Sequence, residues 1–274
     1  MQLKIPNTYA HLAPLECSLT RVGGLGDGRY VIPTEDKYGI EVLFSVGISD
    51  DWSFEQEIAK HSPRCTIYGY DRTSGSAVFS YYFLREILSN QRIAKKLRLL
   101  KKWMLLTFAF AFFWNGRHKF YRKWIVLEKK NEKEISVTEA FNKISTDKKI
   151  GIKIDIEGNE YEIGDKLVDQ IKKRTSNIRF IVIEFHNVSK NRDRFLSLTK
   201  SIQSYLSVAH VHANNFGGIG PDGFPEVIEI TFSSAITLIP DKVPLPNAGD
   251  KRSKFGCFKN FFKAASLFIP ITES

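Results

Sequence analysis

"IGIKIDIEGNEYEI", residues 150–163, begins as a buried apolar strand and ends in a cluster of acids. Ile154 and Ile156 fall on one face of that strand, and Asp155 and Glu157 alternate onto the other. Charge at the end of a core element is costly, so these carboxylates need a use. The residues that follow, 160–173, place apolar side chains on one face of a helix, with Gly164 as a weak point.

Six more apolar runs bounded by turn residues surround this one: 41–47, 65–71, 122–127, 178–185, 206–212 and 226–233. Helical patterns fall between them at 53–61, 135–144 and 192–206, the first opening with Ser53 and Gln56 at capping-box spacing. Strands alternating with helices imply βαβ units in a doubly wound, mostly parallel sheet. The last two runs are separated only by NNFGGIGPDGFP, which implies a terminal antiparallel hairpin. Seven strands so arranged would make an α/β, Rossmann-like fold that resembles the class I methyltransferase architecture. We read residues 1–274 as one domain, with an N-terminal extension at 1–40, an insert at about 75–120 and a basic tail at about 250–274.

The 274 residues and 43% hydrophobic content suffice for a large core. Three cysteines without a CxxC pair read as reduced thiols in a cytoplasmic compartment, and the first residues lack the pattern of a signal peptide. The net charge of +10 is uneven: residues 85–130 hold 13 Lys and Arg against two acids, so the remainder sums to −1. Such a block marks a partner surface.

The stretch LTRVGGLGDGRYVIP offers Gly24, Gly26 and Gly28 as a glycine-rich loop. No helical pattern follows, as a dinucleotide motif requires, so a hairpin turning at Asp27-Gly28 is the better expectation.

In open parallel sheets, ligands bind beyond the carboxyl ends of the strands, where strand order reverses. Those ends carry Gly47; Asp71; Asp155 with Glu157; Glu184 with His186; and His212 with Asn214 and Asn215. Taken singly, an Asp there is most often a cap or turn former, and a His a hydrogen-bonded structural residue. Together they outline a pocket. Gly47 would admit close backbone approach, Asp71 would accept a ribose diol, and Ser49 with the helix near Ser53 would offer N–H groups to a carboxylate. That set suits a nucleoside-bearing ligand without pyrophosphate, such as S-adenosylmethionine.

With VLFSVGISDDWSFEQEIA, YGYD, GIKIDIEGNEYEI, IVIEFH and VHANNFGG…PEVIEITF, the chain resembles the FkbM-type S-adenosylmethionine-dependent methyltransferases over about 20–72 and 149–234. The closest likeness is to the branch with an R-x-G-x-x-x-DG-x-Y-V segment, here Arg21 to Val31. The resemblance implies O-methylation of a sugar, a glycan or lipid-linked group, or another small-molecule hydroxyl. It implies cofactor contacts from Gly47, Ser49, Asp71 and Asp155, and catalytic roles for Asp155, Glu157, His186 and His212. Either histidine would serve as general base. No metal is expected; in the variant reading, Asp155, Glu184, His186 and His212 hold a divalent cation. The first loop has one glycine where many methyltransferases have two or three. That departure keeps open a non-catalytic relative that binds a nucleotide or lipid as an interaction protein. An RNA methyltransferase is a further alternative.

Residues 91–124 are basic and aromatic, with twelve uncharged residues from Trp103 to Trp114. Twelve are too few to span a bilayer. A helix buried on the sheet is one reading; a peripheral contact with the inner membrane face, shared with 254–269, is the other. Nucleic acid is the competing partner, opposed by the continuity of the apolar run.

Overall fold

The structure is a computed structural model, and it describes residues 7–24, 29–88, 93–214 and 217–234. In chain order the elements are β1 (Leu19–Val22), β2 (Tyr30–Pro33), β3 (Val42–Val46), α1 (Ser53–His61), β4 (Thr66–Tyr70), α2 (Ser76–Ile87), α3 (Ile93–Trp114), β5 (Lys119–Tyr121), β6 (Trp124–Val126) and β7 (Glu134–Ser136). There follow α4 (Val137–Phe141), β8 (Ile150–Ile154), α5 (Glu160–Arg174), β9 (Ile178–His186), α6 (Arg192–Gln203), β10 (Ser207–Ala213) and β11 (Val227–Ser233).

The central sheet has seven strands in the order β10-β11-β9-β8-β3-β4-β5. The pairs among β5, β4, β3, β8 and β9 are parallel, and β11 runs antiparallel to both its neighbours. The chain builds outward from β3 to β5, then returns to lay β8 beside β3. That reversal is the switch point at which such sheets open a crevice. This order, with its antiparallel seventh strand, is the Rossmann-like class I methyltransferase fold.

Every residue of β3 and of β8 is buried, as expected for strands covered on both faces. Side chains alternate between two cores. Val42, Phe44 and Val46 pack with α4, α5 and α6, while Leu43, Ile67 and Val182 pack with α1, the β1–β2 hairpin and the α2–α3 pair.

Three expectations change, at the outer strand, the helix over 135–144 and the start of α1, while the insert is helical as expected. The third strand outward is β5 at Lys119–Tyr121; the run at 122–127 instead supplies β6, which pairs with β7 in a small separate sheet. Lys123 N–H bonds back to the Tyr121 carbonyl, turning the chain out of the main sheet. The helix expected over 135–144 is a single short turn, because Glu134–Ser136 is taken by β7. No capping box forms at Ser53: the Asp51 carboxylate accepts the Ser53 N–H at 2.9 Å, and Ser53 Oγ accepts the Gly24 N–H at 2.7 Å. The insert is a helical hairpin, α2 against α3, with one side packed on the core.

β1 and β2 pair antiparallel, as the sequence suggests. The Gly23 N–H donates to Glu57 Oε2 at 2.8 Å, so with Gly24 this end of the loop is tied to α1. The turn residues Asp27 and Gly28, with Gly26, lie outside the described residues, as do Asn215, Cys257 and the tail at 250–274.

Candidate functional site at the strand ends

The loop after β3 is held from three sides. Gly47 N–H donates to the Tyr70 carbonyl at 3.0 Å, and Lys153 Nζ donates to the Gly47 carbonyl. Asp71 closes the third side. Its Oδ2 accepts from the Ile48 and Ser49 amides at 2.8 and 2.7 Å. Its Oδ1 accepts the Thr73 amide at 2.5 Å, the Thr73 hydroxyl at 2.7 Å and the Ser74 amide at 3.2 Å. Burial alone would raise the Asp71 pKa, but these donors outweigh it and hold the carboxyl below its ordinary value. A carboxylate offers about four acceptor positions, so a ribose diol would have to displace one of these donors. Asp71 in this arrangement organises the loop.

Gly47 adopts φ +79°, and a Cβ built there would stand 1.6 Å from the Asp155 carbonyl oxygen. The small residue is needed because β3 and β8 end side by side. That contact, and not a ligand, is what the structure sets against it.

Asp155 follows directly on β8. Its Oδ2 accepts the hydroxyl of Tyr30 at 2.9 Å, which brings the N-terminal hairpin over the strand ends. Burial, reinforced by Asp155 and nearby carboxylates, keeps the Tyr30 phenol protonated far beyond neutral pH, so it remains a donor. Glu157 stands at φ 55° with its side chain largely in solvent.

His186 ends β9 and faces four carboxylates. Its Nδ1 lies 3.0 Å from Glu160 Oε1, and its Nε2 lies 3.6 Å from Glu157, 3.9 Å from Asp155 and 4.0 Å from Glu184. The same Glu160 oxygen accepts the Ile156 and Gly158 amides, so α5 fixes both the KIDIEG turn and the imidazole. Burial pulls the His186 pKa down, but Glu160, then Glu184 and Asp155, override it and raise it to about 9. The imidazole therefore carries its proton at neutral pH, the opposite of what a general base requires.

Asp155, Glu184 and His186 offer ligand atoms that all lie within 4.8 Å of one another. His212, the fourth member of the variant metal set, is not in that group. It sits in β10 opposite Glu229, its ring stacked on His210 with centroids 6.2 Å apart. Asn214, just beyond, does reach the cluster and donates to Glu184 Oε1 at 2.5 Å.

Gly47, Ser49, Asp71, Asp155 and Glu157 line one hollow of about 330 Å³, together with Tyr70, Lys123, Trp124 and Lys153. Five acids line it (Asp50, Asp51, Asp71, Asp155 and Glu157) against two lysines. Two larger surface clefts, of about 640 and 840 Å³, lie over β6, α5 and α6 and at the amino ends of β3 and β4. Neither gathers the strand-end acids, so the smaller hollow is the chemically equipped one. Sequence reading assigned no part to Tyr30, Lys153, Glu55 or Glu160. The available signals were a lysine inside the apolar run IGIKI and Tyr30 as the tyrosine of the R-x-G-x-x-x-DG-x-Y-V segment.

No family model matches the chain, and no curated protein matches it. Solved structures similar to it include methyltransferases. Precorrin-6y C5,15-methyltransferase from Geobacter metallireducens is 12% identical, covering 72% of this chain and 82% of that one, at TM-score 0.36. Aeropyrum pernix fibrillarin with natively bound S-adenosyl-L-methionine is 11% identical, covering 81% and 86%, at TM-score 0.37. TrmN from Thermus thermophilus is 9% identical, covering 72% and 44%, at TM-score 0.34. These likenesses are distant, and the fold is defined by the chain's own strand order.

Proposed function

We propose that this protein is an S-adenosylmethionine-dependent O-methyltransferase acting on the hydroxyl of a sugar, a glycan or lipid-linked group, or another small molecule. The observation that carries this reading is the meeting of Gly47, Asp71 and Asp155, 84 positions apart from Asp71 to Asp155, in one hollow at the switch point of the sheet. The resemblance of the KIDIEG, EFH and HANN blocks to FkbM-type enzymes supports it, and so does the acidic lining, which favours a cationic ligand such as a sulfonium.

In the reaction, the acceptor oxygen attacks the methyl carbon while the carbon–sulfur bond breaks. S-adenosylhomocysteine leaves, and the hydroxyl proton passes to a base. The protein's part is in-line placement and proton acceptance. Asp155 and Glu157, two of the five carboxylates lining the hollow, take the second role; His186, ringed by acids, balances their charge. S-adenosylhomocysteine should bind the folded chain, and at about 100 times its Kd should stabilise it by about 2.7 kcal/mol. Thermal unfolding with and without the ligand measures this. No shift at millimolar ligand overturns the reading, and binding without methyl transfer to any sugar acceptor favours the non-catalytic alternative.

A second reading concerns metal. Glu160 orients His186 through Nδ1 and leaves Nε2 facing carboxylates at 3.6–4.0 Å, too long for hydrogen bonds but matching ligands that share an ion. Asp155, Glu184 and His186 would hold a divalent cation, whose chemistry is to lower the pKa of an acceptor hydroxyl. Turnover should then fall at least about tenfold after dialysis against a chelator and return with Mn²⁺. Unchanged turnover removes the metal.

A further inference from the structure

We propose that α3 docks the protein on an anionic lipid surface through an apolar face that the fold leaves uncovered. This inference is independent of the methyl-transfer reading.

α3 is apolar on two sides. Trp103, Leu106, Phe110 and Trp114 recur at steps of three and four and pack into the core beneath the sheet. Leu97, Met104, Phe108 and Phe112 recur at steps of seven and four and face outward, with Phe108 68% and Phe112 89% exposed. Leu84 and Ile87 of α2 are exposed apolar side chains as well. Single exposed apolar residues are ordinary; a contiguous row along one helix face marks an interaction site.

The charge on the helix selects the occupant. All five charged residues of α3 are basic: Lys95, Lys96, Arg98, Lys101 and Lys102. A second copy of this chain would bring five like charges against five. A nucleic acid would satisfy the charge but leave an aliphatic and aromatic row without bases interleaved to stack on it. An interface of hydrocarbon beneath anionic headgroups meets both halves at once, the apolar row entering it while the lysines reach the headgroups, Lys101 from within the row between Leu97 and Met104 and the others from beside it. No helix among the described residues is long and apolar enough to cross a membrane, so the contact is peripheral. Lys102 also pairs with Asp50 at 2.7 Å, and Asp50 lines the strand-end hollow. Docking through α3 thus sets the rim of that hollow one ion pair away from the lipid.

The test is co-sedimentation of the full chain with vesicles of phosphatidylcholine alone and of phosphatidylcholine mixed with phosphatidylglycerol. Binding should be at least about tenfold stronger on the anionic vesicles. The exposed double variant Phe108→Ser/Phe112→Ser should bind them about tenfold more weakly while unfolding at the same temperature as the parent. Absence of binding to anionic vesicles overturns the proposal. Binding that the double variant retains in full overturns it too, since contact would then lie elsewhere, as in residues 254–269. RNA retention in a gel shift, or a dimer on size exclusion that the double variant abolishes, likewise overturns it if vesicles are not bound.

Discussion

Lys153→Met should destabilise the protein by about 3–5 kcal/mol, the cost of leaving a buried charge without its partner. Lys153 is 3% exposed, and its Nζ lies 3.8 Å from Oε1 of Glu55, which is fully buried in α1. The same Glu55 oxygen accepts the Ser45 hydroxyl at 2.5 Å, while Oε2 has no hydrogen-bond partner. Methionine keeps the length of the stem and removes the cation that stands beside that carboxylate. At about 2–4 °C per kcal/mol, the unfolding temperature should drop by about 6–20 °C. Adding Glu55→Gln to Lys153→Met should restore much of the loss, because a buried pair exchanged for neutral groups is often close to neutral in stability. A double-mutant cycle by urea unfolding measures the coupling. A single variant that loses less than about 1 kcal/mol would show that Glu55 does not need the lysine.

Gly47→Ala should cost about 3 kcal/mol or more and remove ligand binding at the hollow. Two effects add. The backbone at φ +79° is strained for any residue with a Cβ, and that Cβ would meet the Asp155 carbonyl oxygen at 1.6 Å. Neither atom belongs to a flexible side chain, so the ends of β3 and β8 must separate, and Asp155 N–H would lose its bond to the Val46 carbonyl. Gly39→Ala separates the two effects. Gly39 sits at φ +70° with nothing within 4 Å of its missing Cβ, so it carries the conformational cost alone, about 1 kcal/mol. Thermal unfolding of both variants, with S-adenosylhomocysteine binding for each, gives the difference. Equal losses at the two glycines would mean that the β3–β8 contact at Gly47 yields without consequence.

Much of the fold could be read along the chain because buried parallel strands are written as apolar runs. VLFSV, IGIKI and IRFIVIEF each matched an observed strand, and the absence of a helical pattern between the last two runs matched the antiparallel hairpin of β10 and β11. The edge was harder. KFY and WIV are similar runs three residues apart, and only the partner decides which joins the sheet; β4 takes the first. The apolar insert was legible as a helix candidate but not as two-faced, since hydrophobicity does not say which side meets a core.

At the site, position along a strand was enough to name the acids, because strand ends face one rim whatever the intervening chain does. Their roles were not. Asp71 looks like a ribose acceptor until its five donors are counted, and His186 looks like a base until four carboxylates close around it. Tyr30 and Glu160 belong to the quoted motifs, but nothing local in the hairpin or the helix says that they meet Asp155 and His186.

Apolar periodicity, turn residues and the placement of acids settled the class of sheet and the edge on which chemistry gathers, since both follow from short-range pattern. The protonation of His186 and the need for glycine at position 47 came from residues far away in the chain. Asp71 was saturated by Ile48 and Ser49 from the loop after the neighbouring strand as well as by Thr73 and Ser74 beside it. Desolvation and Coulomb interactions act through space, and only the folded neighbours set them.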